Sequence, residues 1–170
     1  MKSTKLNNAG IGSFYHKVEN KDLVDFELDR YIKNYQLFYT GRHAIRFILD
    51  FIYKEQFVDV IWLPSYYCQH IASWLKKVFS NIKTYKIDRF LPEKLNNISD
   101  FASQNDIVIL NNFWGLFEYE IPNLKERAVY IEDHPHGWLG KRCFESKADY
   151  SFAYLRKNNS YSFKRNFMES

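Results

Sequence analysis

Residues Asp106–Asn111 read DIVILN, a short apolar run that ends in an amide side chain. A second run of this kind, AVYIE, occupies Ala128–Glu132 and is followed at once by Asp133. Continuous apolar runs of this length are typical of strands that are buried on both faces, as the strands of parallel sheets are. The two runs therefore predict buried strands of a parallel β-sheet.

Helical patterns and further strands alternate with these two runs along the chain. Apolar residues recur at helical spacing over Arg42–Lys54 and over Tyr66–Phe79. Three more segments have the character of short strands: Val58–Leu63, Ile82–Ile87 and Asp149–Leu155. Strands that alternate with helices imply parallel pairing through helical crossovers. We therefore predict an α/β fold, with a mostly parallel sheet and helices on both faces.

Length and composition indicate one folded domain. The 170 residues suffice for a substantial core, and an aromatic content of 19% is too high for a disordered chain. We expect an irregular lead-in over residues 1–20, an α/β domain over 21–157 and a tail over 158–170. The sequence contains no signal-peptide pattern, no apolar run of membrane-spanning length and only two cysteines. We therefore expect a cytoplasmic protein that has no membrane partner.

Charge and motif content argue against three other classes of site. The net charge of +4 is small, and Lys and Arg are not clustered on one element, so nucleic acid is not an expected partner. The pattern G-x-G-x-x-G of Rossmann-type nucleotide sites does not occur. The chain contains no C-x-x-C pair. We therefore predict no metal site, although His70, His134, His136 and the two cysteines are possible ligands by type.

Polar side chains follow several of the predicted strands, at the edge where parallel sheets bind ligands. Asn112, Asp133 and Lys157 each come after a different strand. Thr40-Gly41-Arg42 precedes or opens a helix, and the N–H groups of a helix start suit a phosphate. A lysine, a carboxylate and a phosphate cradle are the groups that pyridoxal 5'-phosphate (PLP) requires of a protein. The sequence therefore predicts a PLP site at this edge.

The motifs resemble those of the DegT/StrS-type PLP-dependent sugar aminotransferases. Four segments carry the resemblance: TGRHAI (Thr40–Ile45), WLPSYYCQHI (Trp62–Ile71), NNFWG (Asn111–Gly115) and IEDHPHGWLGKRCFESKADYSFAYLRK (Ile131–Lys157). In that family an E-D-x-x-[HQ] motif ends a strand, and the Schiff-base lysine follows the next strand. The resemblance covers roughly residues 10–157 and implies the large, cofactor-binding domain of a fold-type I PLP enzyme.

The resemblance implies a role for each residue that matches a family motif. Lys157 would bond to the cofactor and carry the proton during catalysis. Asp133 would pair with the ring nitrogen, and His136 would lie near the phenolic oxygen of the cofactor. These three residues would form the reactive end of the site.

The phosphate and the ring face would be held by residues from earlier in the chain. Gly41 and Arg42, at the predicted helix start, would hold the phosphate, and Asn112 would line the same site. Cys68 stands where the family has the aromatic residue that stacks on the ring. Tyr67 or its neighbour Tyr66 would then have to take that place.

The function that the resemblance implies is transfer of an amino group from glutamate to a keto-sugar nucleotide, in polysaccharide or antibiotic-sugar biosynthesis. It also implies a homodimer whose sites draw on both subunits. The family's small C-terminal domain has no counterpart in these residues, which predicts an incomplete enzyme. The alternative is a non-catalytic remnant, or a binding and assembly module that keeps the fold without the reaction.

Overall fold

Helices and strands alternate along the part of the chain that the computed structural model describes, residues 36, 38–87, 98–115, 117–122, 126–136 and 146–154. The helices are α1 (Gly41–Glu55) and α2 (Gln69–Val78), and a 3₁₀ turn covers Ile98–Asp100. The strands are β1 (Ile61–Pro64), β2 (Ile82–Tyr85), β3 (Ile107–Asn111), β4 (Val129–His134) and β5 (Tyr150–Ala153). The predicted lead-in over 1–20, Lys157 and the tail over 158–170 lie outside the described residues.

The five strands of the described ranges form one sheet in which every pairing is parallel. Their order across the sheet is β2–β1–β3–β4–β5. Each residue of β3 pairs with a residue of β4, from Ile107 with Val129 to Asn111 with Asp133. This arrangement confirms the α/β class and the parallel sheet that the two apolar runs predicted.

The bounds of every helix and strand differ from the predicted ones, and for two strands the reason is identifiable. The strand predicted over Val58–Leu63 starts only at Ile61, because the Val60 amide donates to the Asp106 side chain instead of joining a strand ladder. Strand β4 continues through His134, so Asp133 is a residue of the strand and not the first residue after it. Because strand residues alternate between faces, this extension places Glu132 and His134 on one face of the sheet and Asp133 on the other.

Helix α1 starts at a cap that the local sequence provides. Thr40 has extended backbone dihedral angles, and its side-chain oxygen accepts a hydrogen bond from the His43 amide at 3.4 Å. The apolar residues of α1 recur three and four positions apart and are buried: Ala44, Ile45, Ile48, Leu49 and Ile52. The helix predicted over Arg42–Lys54 is therefore confirmed, with one further residue at each end.

The two faces of the sheet have different covers. Both helices pack on one face, where α1 and α2 contribute Ile45, Leu49, Ile52, Ile71 and Leu75, and the strands contribute Ile61, Leu63, Ile107, Ile109, Ile131 and Phe152. The cover of the other face, within the described residues, is the 3₁₀ turn with Phe101 and the segment around Tyr119. In this part of the chain, α-helices therefore cover one face only, whereas the sequence predicted helices on both.

Asp106 joins the amino-terminal end of β3 to the start of β1. Its side chain is buried, and its two oxygens accept hydrogen bonds from four donors. The Val60 amide and the Trp62 indole N–H lie at 3.0 and 2.9 Å, and the Ser103 amide and hydroxyl lie at 2.9 and 3.2 Å. A buried carboxylate is tolerated only when its oxygens meet donors in this way.

Replacing this carboxylate by an amide should destabilise the fold. Asp106→Asn is expected to lower the free energy of unfolding by about 1–3 kcal/mol, because one acceptor oxygen becomes an NH₂ group that faces donors. Urea denaturation followed by circular dichroism measures the change. Asp59→Asn, at an exposed carboxylate nearby, is the control and should change the stability by less than about 0.5 kcal/mol. Equal losses in the two variants would contradict the role given to Asp106.

Candidate functional site

A buried carboxylate lies at the carboxyl end of β4. Asp133 is only 1% exposed, and it pairs in register with Asn111 at the end of β3. Successive strand residues alternate between faces, so Asp133 shares the helix-covered face with Ile131. Its Oδ2 accepts a hydrogen bond from the Tyr67 hydroxyl at 2.8 Å. This bond offsets part of the cost of burying the carboxylate.

The charge of Asp133 affects the pKa of two tyrosine hydroxyls, those of Tyr67 and Tyr154. Burial raises the pKa of Tyr67 well above its ordinary value, and the charge of Asp133 raises that pKa further. The pKa of Tyr154, which follows β5, is raised by the same two causes in the same order. Both hydroxyls therefore keep their protons at neutral pH, and Tyr67 is a permanent donor to the carboxylate.

The start of helix α1 approaches the same place. A Cβ atom on Gly41 would overlap the ring and the hydroxyl of Tyr154, so only glycine lets the ring lie this close to the helix. The charge of Arg42 lowers the pKa of Tyr154 against the larger effect of burial. We call the five residues Asp133, Tyr67, Tyr154, Gly41 and Arg42 the Asp133 centre.

The structure thus brings together four of the residues that the sequence predicted for a PLP site. Asp133 and Gly41 lie on the helix-covered side of the carboxyl edge, with Arg42 beside Gly41 in the first turn of α1. Tyr67 belongs to this group, but its hydroxyl donates to Asp133. Lys157, the one residue predicted to be catalytic, lies outside the described residues.

The structure places the Asn112 side chain away from the Asp133 centre, although the sequence predicted that it lines the same site. Asn112 follows β3, and its side chain lies on the face of the sheet that Glu132 occupies. There its Nδ2 donates to Glu132 Oε1 and to the Phe117 carbonyl, each at 2.8 Å. The Phe117 amide donates back to Asn112 Oδ1 at 3.3 Å. Asn112 is therefore a buried clamp on the loop that follows β3.

His136 lies in the loop after β4, among aromatic rings. Its ring centroid is 4.7 Å from that of Phe113 and 5.6 Å from that of Trp114. Its amide donates to the Phe113 carbonyl at 3.1 Å. It therefore belongs to the same edge of the sheet as Asp133, in contact with the loop that Asn112 clamps.

A second buried carboxylate, Glu132, lies on the face opposite to Asp133. Besides Asn112, it accepts a hydrogen bond from the Ser146 hydroxyl, and its Oε2 is 3.6 Å from Nε2 of the fully buried His134. Burial raises the pKa of Glu132, but His134, Ser146 and Asn112 together outweigh burial and hold that pKa below its ordinary value. Glu132 is therefore an ionised group inside the protein.

Tyr154 and Ser146 were not among the residues that the sequence predicted for the site. Tyr154 could have been found from the strand period, because it lies two residues after the buried Phe152 and so continues the same face. Ser146 carries no local signal, since it meets Glu132 from a distant segment of the chain. In the described residues, no group of three or more His, Cys, Asp or Glu side chains has a metal-binding arrangement.

Comparisons with protein-family models, with curated proteins and with solved structures give no match for this chain. Among the described residues, neither helix has the length and apolar character that crossing a bilayer requires.

Removing the Tyr67 hydroxyl should destabilise the protein through Asp133. Tyr67→Phe is expected to lower the free energy of unfolding by about 1–3 kcal/mol, because a buried carboxylate loses a donor. Chemical denaturation at neutral pH provides the measurement. Tyr53→Phe is the matched control, since that hydroxyl bonds to Asn81 at an exposed position and its loss should matter little. A Tyr67→Phe variant as stable as this control would show that the bond to Asp133 contributes nothing.

The ionised state of Glu132 predicts a pH dependence of stability. Because its pKa in the folded protein is depressed, its contribution is complete above the ordinary value of 4.5 and is lost as the pH falls through the lower folded pKa. Glu132→Gln should therefore be less stable than the unmodified protein at pH 7, with a difference that shrinks below about pH 4.5. Thermal unfolding at a series of pH values tests this, and a difference that grows on acidification would contradict it.

Proposed function

We propose that this chain is the PLP-binding part of an aminotransferase-like protein that acts on a keto-sugar nucleotide. The observation that supports this most strongly is the Asp133 carboxylate, buried at the carboxyl end of β4 on the face where α1 starts. A carboxylate that faces the ring nitrogen keeps that nitrogen protonated, and PLP can then act as an electron sink. Ligands of parallel α/β sheets bind at this edge.

The donors and acceptors of the Asp133 centre fit both ends of the cofactor. Asp133 offers an anionic oxygen to a protonated ring nitrogen, and Tyr67 positions that carboxylate. The first N–H groups of a helix have no acceptor inside the helix, and an anion near them is favoured by the helix dipole. Gly41 and Arg42 contribute these groups in α1, because the Thr40 cap already engages the His43 amide.

The proposal also requires Lys157, which follows Tyr154 in the sequence. In this proposal its amine is the point of covalent attachment and moves the proton at the substrate carbon. Asp133 would stabilise the charge on the ring, Gly41 and Arg42 would bind the phosphate, and His136, in the loop after β4, would lie near the phenolic oxygen of the cofactor. An amino donor such as glutamate and a homodimeric assembly belong to the same proposal.

A second candidate is a binding or assembly module that keeps the fold without the reaction. The Tyr154 ring packs against Gly41, where the phosphate would bind, and the Tyr67 hydroxyl bonds to Asp133, where the ring nitrogen would bind. Side chains of the protein itself therefore occupy the places where both ends of the cofactor would bind. Under the first proposal Tyr154 must move when PLP binds, whereas under the second it stays in place.

An absorbance titration with PLP separates the two candidates. The unmodified protein is expected to develop a visible band that borohydride removes, and Lys157→Ala should not, because its side chain has no amine. Lys147→Ala, at an exposed lysine that pairs with Glu118, is the matched control and should retain the band. A band of equal strength in all three proteins, or no band in any, would overturn the PLP proposal in favour of the module.

A further inference from the structure

An exposed group of aromatic side chains lies next to the Asp133 centre. We call it the aromatic platform, and it consists of Tyr66, Phe113, Trp114 and His136. The Phe113 ring is central, with centroid distances of 4.8 Å to Trp114, 4.7 Å to His136 and 6.3 Å to Tyr66. Trp114 is 58% exposed and Tyr66 is 44% exposed, so the platform presents ring surface to solvent.

The platform is held in a fixed position by bonds from its own loops. The Gly115 amide donates to the Asn112 carbonyl at 3.0 Å, and Gly115 has a φ of 68°, a conformation that favours glycine. The Asn112 side chain bonds to Phe117 on the far side of the loop and to the ionised Glu132 below it. The His136 amide joins the second loop to Phe113. Exposed rings that are ordered in advance lose little entropy when a ligand binds.

The platform and the Asp133 centre are built from the same strand ends. After β1, Tyr67 bonds to Asp133 while its neighbour Tyr66 joins the platform. Asn111, which pairs in register with Asp133, donates its Nδ2 to the Tyr66 carbonyl at 3.1 Å. After β4, His136 follows Asp133 in the chain and reaches the platform. One extended ligand could therefore contact both places.

We propose that the aromatic platform stacks the nucleobase of the nucleotide-linked substrate. The inference rests on the proposed function, in which the amino-accepting part of the substrate lies at the Asp133 centre. Every nucleobase has a flat π-face, and stacking on an aromatic side chain contributes strongly to binding without selecting one base. An indole that is exposed, fixed by its loop and flanked by a second ring is suited to this contact.

Isothermal titration of the full chain without PLP tests the proposal. The ligands are the 5'-monophosphates of uridine, thymidine, cytidine, adenosine and guanosine, with ribose 5-phosphate as the matched ligand that has no base. At least one nucleotide is expected to bind about tenfold or more tightly than ribose 5-phosphate. Equal affinity of ribose 5-phosphate and all five nucleotides would overturn the proposal.

Variants of Trp114 locate the contact. Trp114→Ala should weaken binding of the preferred nucleotide by about 5- to 100-fold, whereas Trp114→Phe, which keeps a ring, should bind within about threefold of the unmodified protein. Phe57→Ala is the control, because Phe57 is 73% exposed and precedes β1 at the opposite edge of the sheet. Circular dichroism and thermal melting verify the fold of each variant. A Trp114→Ala variant that is folded and binds like Phe57→Ala would overturn the proposal.

The outcome of the nucleotide titration is independent of the outcome of the PLP titration. A borohydride-sensitive band without base-dependent binding would overturn the platform and leave the cofactor site standing. Base-dependent binding that requires Trp114, in a protein that forms no such band, would support the platform and overturn the PLP proposal.

Discussion

The parallel pairing of β3 with β4 sets the positions of the polar side chains at the carboxyl edge of the sheet. It aligns Asn111 with Asp133 at one edge of the sheet, and strand geometry then turns Glu132 and Asp133 to opposite faces. Each of these adjacent carboxylates is buried and needs its own donors. Asp133 receives the Tyr67 hydroxyl from the helix-covered side, and Glu132 receives Asn112 from the other.

The segments that follow the strands divide their side chains between two tasks. Tyr67 serves the Asp133 centre and Tyr66 the aromatic platform, although they are neighbours in the chain. The buried clamp of Asn112 on Glu132 fixes the loop that presents Trp114. The buried Glu132 carboxylate therefore helps to fix, through Asn112, the loop that carries the exposed Trp114 ring.

The start of α1 shows how a local signal and a distant contact combine. Thr40 caps the helix through its own sequence neighbour His43, a contact that needs no tertiary structure. Gly41 is required for a different reason, because the Tyr154 ring from the end of β5 leaves no room for a side chain. The same glycine is compatible with a bound phosphate or with a packed tyrosine, and this is why the cofactor site and the binding module remain the two candidates.

The parallel α/β class, helix α1 and the edge at which polar residues gather could be predicted from the chain alone, because each depends on periodicity and capping within a short segment. The sequence also predicted Asp133, Tyr67, Gly41 and Arg42 as site residues, and the structure brings these four together. Their roles, and Lys157, stay predictions. Three contacts became visible in the folded chain: Asn112 turns away from Asp133, Tyr67 bonds to the carboxylate and Tyr154 covers Gly41. These contacts depend on the exact end of β4 and on the register between segments far apart in the chain, and no local pattern contains that information.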